Sequence, residues 1–251
     1  MRVMTHSRPL RVDDAVPALA ALGAVRLPLE EPDARVWRVP LRAGKHTLAG
    51  LVEVLSADER SRMDAMRDSA GQRRFAVAHA ALRLLLAHHL REHPRNLVFA
   101  VGAHGKPHLP GARLEFNLTH SHELALIAVS VSGAVGVDVE RRARRPLDLP
   151  AMARRVLSPA EQEWLVRRPQ AQRNAAFLRL WTCKEAVSKA AGSGFSGGFS
   201  GICIEPQRLS AALAQNVAAA GDRWRLRTLT LGATYVGALA VPAGPPDQEE
   251  R

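Results

Sequence analysis

The feature that most constrains this chain is a helix opening that occurs twice. Val54-Leu55-Ser56 is followed by Glu59, and, 102 positions later, Val156-Leu157-Ser158 is followed by Glu161. In each copy a serine caps the first turn while a glutamate three residues on reaches back to the serine's own N–H, satisfying two donors that a helix start leaves unpaired. Pro159 at the first helical position strengthens the second copy. The same shift superposes Phe75 on Phe177 and sets Arg83 opposite Glu185. An ordered match at a fixed shift marks an internal repeat. The sequence therefore predicts an α+β chain, a pseudodimer of two similar halves. Each half has a long helix packed on a small, mostly antiparallel sheet, and a ligand cleft lies between the halves.

Two long helices are expected. One runs from about Gly71 to His93 and is stopped by Pro94; the other begins at Phe177, buries Leu180, Trp181, Val187 and Ala190, and ends at Gly192-Ser193-Gly194. Strands are expected at 34–42, 96–101, 114–118, 124–131 and 134–140, with a hairpin from 224–231 and 234–241. This gives an N-terminal extension over 1–33, a first half over 34–132, a second half carrying the metal site over 133–242, and a tail over 243–251.

Composition excludes some classes. With 47% hydrophobic residues the chain can bury a core. No apolar run is long enough to span a membrane and the N-terminus lacks a secretory segment, so a cytoplasmic protein with no membrane partner is expected. Cys183, and Cys203 in an expected strand, form neither a metal-ligand spacing nor a disulfide framework. A net charge of +11 attracts anions, whether nucleic acid, phosphorylated cofactors or acidic proteins. Aromatic residues at 4% argue against a base-stacking platform.

Position narrows the chemistry further. On a strand, Asp138 and Glu140 project from one face while Val137 and Val139 project from the other. Two carboxylates held side by side repel, and a hard divalent cation such as Mg²⁺ relieves them. A solvated acidic face, neutralised by Arg141, Arg142, Arg144 and Arg145, is the plainer alternative. On the second long helix Glu185 and Lys189 stand one turn apart, an arrangement that by itself is equally a surface ion pair. Lys106 sits at a tight turn beside Pro107, and Thr119, His120 and Ser121 leave a strand in a row; hydroxyl, imidazole and ammonium groups all bind phosphate. His104, His108, His120 and His122 could supply zinc nitrogens, but their spacings match no common zinc pattern. Arg73, Arg74 and Arg83 lie on the first long helix, where Arg74 and Arg83 are close enough in phase to reach a shared anion.

Taken in order, Gly-Lys-Pro-x-Leu-Pro from Gly105, Phe-Asn-Leu-Thr-His-Ser from Phe116, Gly-Val-Asp-Val-Glu from Gly136 and Trp-Thr-Cys-Lys-Glu-Ala-Val-Ser-Lys from Trp181 resemble the 4'-phosphopantetheinyl transferase superfamily, specifically its Sfp-type members. The resemblance spans about residues 36–241, with Thr119 standing where many members have serine. It implies transfer of the phosphopantetheine arm from coenzyme A to a serine of an apo acyl or peptidyl carrier protein, by a monomer that binds coenzyme A between its halves. Asp138, Glu140 and Glu185 would hold Mg²⁺, Glu185 would take the serine proton directly or through a metal-bound water, and Lys189 would stabilise or protonate the leaving 3',5'-adenosine diphosphate. Lys106, Pro107, Thr119, His120, Lys184 and Lys189, with Arg74 and Arg83, would contact coenzyme A. A Mg²⁺-dependent nucleotide phosphohydrolase and a non-enzymatic basic nucleic-acid-binding module are the alternatives.

Overall fold

The computed structural model describes residues 15–29, 31, 34–142, 148–192, 198–209, 215–219 and 221–244. The chain is α+β and divides into two compact units. The described residues of the first fall within 1–27, 37–98 and 123–125, and those of the second within 28–36, 99–122 and 126–251.

The first unit begins with α1 (Ala15–Ala21) and β1 (Val25–Arg26), inside the segment expected to be an extension. Next comes β2 (Ala34–Pro40), whose Trp37 and Arg38 pair with β1. Three helices follow, α2 (Lys45–Val52), α3 (Ala57–Asp64) and α4 (Ser69–Leu90), and α1, α2 and α3 all pack on α4. The predicted capping box opens α3, with the Ser56 N–H donating to Glu59 Oε2 at 2.9 Å and Glu59 N–H to Ser56 Oγ at 3.2 Å. Every residue of α4 from Ala80 to Ala87 is buried, so its apolar surface goes all round. Arg91, in the left-handed conformation, ends it before a 3₁₀ turn at Pro94–Asn96.

In the second unit β3 (Ala100–Val101) and β4 (Pro107–His108) form a small ribbon, and β3 is all that forms of the strand expected over 96–101. They are followed by β5 (Glu115–Ser121), β6 (Leu124–Ser130) and β7 (Gly136–Arg141). Three helices come next: α5 (Leu149–Val156), α6 (Pro159–Val166) and α7 (Gln170–Ala191). Ser158 and Glu161 form the second predicted capping box, at the start of α6. Helix α7 begins seven residues before the expected Phe177. The chain closes with β8 (Gln215–Ala219), β9 (Asp222–Leu229) and β10 (Tyr235–Pro242).

These last strands join β7 in an antiparallel sheet of order β7-β10-β9-β8, covered by α7. At Gly136 a Cβ would lie 2.0 Å from the Ala186 carbonyl oxygen and 2.4 Å from Ala190 N, so no other residue permits this approach of helix to strand. Cys183 is buried in α7, whereas Cys203 is exposed and outside any strand. Arg144, Arg145, residues 193–197 of the glycine run and the tail from 245 lie outside the described residues.

One local arrangement recurs in the two units, each taken separately. In the first, Arg83 is 2% exposed; its Nε donates to Glu59 Oε2 at 2.5 Å and its Nη1 to the carbonyls of Pro94 and Leu97. In the second, Lys184 is 0% exposed; its Nζ lies 2.7 Å from Glu161 Oε2 and donates to the carbonyls of Phe199 and Ile202. Each time the capping-box glutamate holds a cation from the long helix, and that cation gathers the two carbonyls bracketing a 3₁₀ turn. Both long helices have 22 residues, but they start 101 positions apart, at Ser69 and Gln170, because the link from α6 is one residue shorter than the link from α3. The expected match of Arg83 with Glu185 is thereby corrected: Arg83 corresponds to Lys184.

Candidate active site

Strands β5 and β7 lie side by side within the second unit. Alternation puts Asn117, Thr119 and Ser121 on one face of β5, and each bonds β7. Asn117 Oδ1 accepts from Val137 N–H at 2.9 Å, Thr119 Oγ1 donates to Asp138 Oδ1 at 3.0 Å, and Ser121 Oγ donates to Glu140 Oε2 at 2.9 Å. His120 falls on the opposite face and is exposed, which separates it from this row.

Helix α7 supplies the remaining groups. Lys189 Nζ lies 2.6 Å from Asp138 Oδ1 and 3.2 Å from Thr119 Oγ1. The spacing of Glu185 and Lys189 suggested that these two would pair, but the ammonium turns instead to Asp138, which is only 4% exposed. A buried carboxylate is less hydrated and so the stronger partner. Glu185, one turn earlier, is half-buried.

Burial raises the carboxyls of Asp138, Glu140 and Glu185 above their ordinary range. Lys189 and Thr119 oppose this at Asp138, and Ser121 opposes it at Glu140. The charge of Asp138 reinforces it at Glu140, and Asp138 and Glu140 together reinforce it at Glu185. Three carboxylates thus sense one another, and the Lys189 ammonium contacts one of them, Asp138. Asp138 Oδ2 is buried without a hydrogen-bond partner.

Lys106, Pro107 and Lys189 line a cavity of about 210 Å³ together with His104, Asn117 and Ser188. Lys106 Nζ donates to the Val135 carbonyl at 3.2 Å and lies 3.7 Å from Glu115; burial lowers its pKa although Glu115 acts against the shift. Asn117, Ser188 and Gly136 were not singled out in the sequence. Asn117 lay within a quoted motif, and its alternation with Thr119 was the available signal.

Two expected coenzyme A ligands lie in the interior. Arg83 and Lys184 are buried, and carboxylate and carbonyl groups surround their charges, so neither presents a cation to solvent. Arg74, in the first unit, pairs with Glu123 at 3.4 Å and Asp68 at 3.9 Å.

The donor chemistry suits a hard cation, since the candidates are all carboxylate oxygens, one of them buried and unpartnered. As the side chains stand, no three His, Cys, Asp or Glu groups among the described residues converge closely enough to hold a metal.

The sequence model of the 4'-phosphopantetheinyl transferase superfamily matches residues 134–240, which contain β7, α7 and most of the sheet that α7 covers. The 4'-phosphopantetheinyl transferase HetI of Nostoc sp. is 36% identical over 174 residues, covering 68% of this chain and 73% of its own. The chain belongs to the 4'-phosphopantetheinyl transferase superfamily. The transferase AcpT of Salmonella typhimurium is 38% identical over 146 residues, 57% of this chain and 72% of its own, and psf-1 of Bacillus pumilus is 31% identical over 150 residues, 58% and 61%. As a member of this superfamily the protein is a transferase enzyme.

Proposed function

We propose that this transferase moves the 4'-phosphopantetheine arm of coenzyme A onto a serine hydroxyl of an apo acyl or peptidyl carrier protein, with Mg²⁺ as cofactor. The serine oxygen bonds to the β-phosphorus, the bond from that phosphorus to the bridging oxygen breaks, and 3',5'-adenosine diphosphate leaves with the electron pair. The observation that carries this reading is Asp138: Thr119 and Lys189 hold Oδ1, while Oδ2 is buried and unpartnered, and the Asp138 charge acts on Glu140 and Glu185. Asp138, Glu140 and Glu185 would hold the metal, which when bound neutralises charge on the diphosphate.

The chain's own residues account for positioning and proton transfer. Glu185, its proton affinity raised by burial, takes the serine proton. Lys189 places positive charge beside the leaving diphosphate and Lys106 orients its oxygens, with Pro107 shaping the turn, while Thr119 keeps Asp138 and Lys189 in register. His120, Arg74, Arg83 and Lys184 are left out because of their exposure on the far face, their ion pairs or their burial. We place the enzyme in the cytoplasm as a monomer with no nucleic-acid or membrane partner; no helix among the described residues is long and apolar enough to cross a membrane.

The test is incubation with coenzyme A, Mg²⁺ and apo carrier proteins, read by intact mass. Addition of one phosphopantetheine arm is expected for the wild type and not for Asp138→Ala. Coenzyme A consumption without a carrier would favour a phosphohydrolase, and an unmodified carrier panel with intact coenzyme A would reject both enzymes.

A further inference from the structure

A second cavity, of about 650 Å³, opens in the second unit against the N-terminal half of α7 and the ends of β9 and β10. It shares no lining residue with the cavity at Lys106 and Lys189. Arg142, Arg168 and Arg179 line it, and no acidic side chain does. Among the described residues no ion pair engages these three arginines.

Two lining residues also carry unsatisfied polar atoms. Thr228, 4% exposed, lines the cavity with a buried hydroxyl that has no hydrogen-bond partner, and Arg168 Nε is likewise buried and unpartnered. A buried polar group left without a partner is destabilising, and an acceptor bound here would satisfy it. The Arg168 guanidinium carbon sits 4.8 Å from the centre of the Trp164 ring, so this cation is held against an aromatic face. Tyr235 adds a second ring to the lining.

Unpaired guanidiniums select anions with planar or tetrahedral oxygens, and a hydroxyl donor suits the same oxygens. Aromatic walls suit a flat apolar body, and the volume is that of a small-molecule site. We propose that this cavity binds a small amphipathic anion, a phosphate or carboxylate carried on a flat apolar group, at a site separate from the candidate active site.

Phenyl phosphate is the probe, titrated into the full chain while tryptophan fluorescence is followed. A saturable change is expected that disappears in Trp164→Phe. Arg168→Gln should weaken binding about tenfold and Thr228→Val a few-fold, while Lys189→Ala should keep the wild-type affinity. Phenol and inorganic phosphate should each bind at least about tenfold more weakly than phenyl phosphate. Thermal melts of each variant, including the charge-conserving Arg168→Lys, establish that the protein is folded. A folded protein with no saturable response, a cavity holding water only, overturns the proposal; so does binding unaffected by Arg168→Gln or abolished by Lys189→Ala.

Discussion

The helix pair α3–α4 and the pair α6–α7 are built to one plan and used differently. Both begin with a serine-glutamate capping box, and both bury that glutamate against a cation that ties down the following 3₁₀ turn. One residue beyond the buried cation, the first pair has Leu84, wholly buried in the core, and the second has Glu185, half-buried among carboxylates. Five residues beyond it, the first has exposed His88 and the second has Lys189 on Asp138. The buried ion pair recurs, and the residues beside it differ. A buried ion pair can therefore serve as framework in both places while the neighbouring turn carries different side chains.

The largest expected effect tests whether the two frameworks are equivalent. Glu161→Ala would leave the Lys184 ammonium buried without a counter-charge, and Glu59→Ala would do the same to Arg83, each costing about 3–5 kcal/mol in urea unfolding. Losses below about 1 kcal/mol at either position would show that the pair is not framework there. Acid should test the first copy next. Burial raises the Glu59 carboxyl, but hydrogen bonds from His79, the Ser56 backbone and Arg83 outweigh it and bring the pKa down from 4.5 to about 2. A depressed folded pKa stabilises above the unfolded value, so this contribution, on the order of 3 kcal/mol, is present above pH 4.5 and lost as the pH falls toward 2. Glu59→Gln should flatten that limb of a melting-temperature profile, and an unchanged limb would contradict the assignment.

The division of labour is sharpened by a matched pair of variants. Glu185→Gln should lower kcat about 100-fold in single-turnover transfer, whereas Leu84→Met, at the equivalent position, should leave kcat within about twofold. Comparable losses from both would erase the distinction. The smallest expected change in stability is at Gly136, where alanine must push α7 away from β7 at a cost of about 1–3 kcal/mol. Transfer should fall even where the protein remains folded, and wild-type transfer by a folded Gly136→Ala would show that this approach does not position Lys189.

What the sequence revealed was local. Ser56 with Glu59 and Ser158 with Glu161 announce helix starts because capping is settled within four residues, and both formed. Asp138 and Glu140 were legible because strand alternation is a two-residue rule. The fates of Arg83 and Lys184 were not, since a buried cation depends on a glutamate more than twenty residues away and on carbonyls beyond the helix end. A constant shift of 102 also misaligned the long helices, because one residue missing from a link turns a helix by about 100°. Short elements such as α2, α5 and β8 carry too few residues for a period to emerge.

The environments of the two cysteines give the molecule a built-in reporter. Burial pushes the Cys183 thiol up to about 12, so at neutral pH it offers almost no thiolate to an electrophile, whereas Cys203 is exposed. A maleimide dye should therefore attach at one known address without any cysteine being removed. That address immediately follows Ile202, whose carbonyl Lys184 holds, so the dye's anisotropy would register release of this segment before the rest of the second unit unfolds.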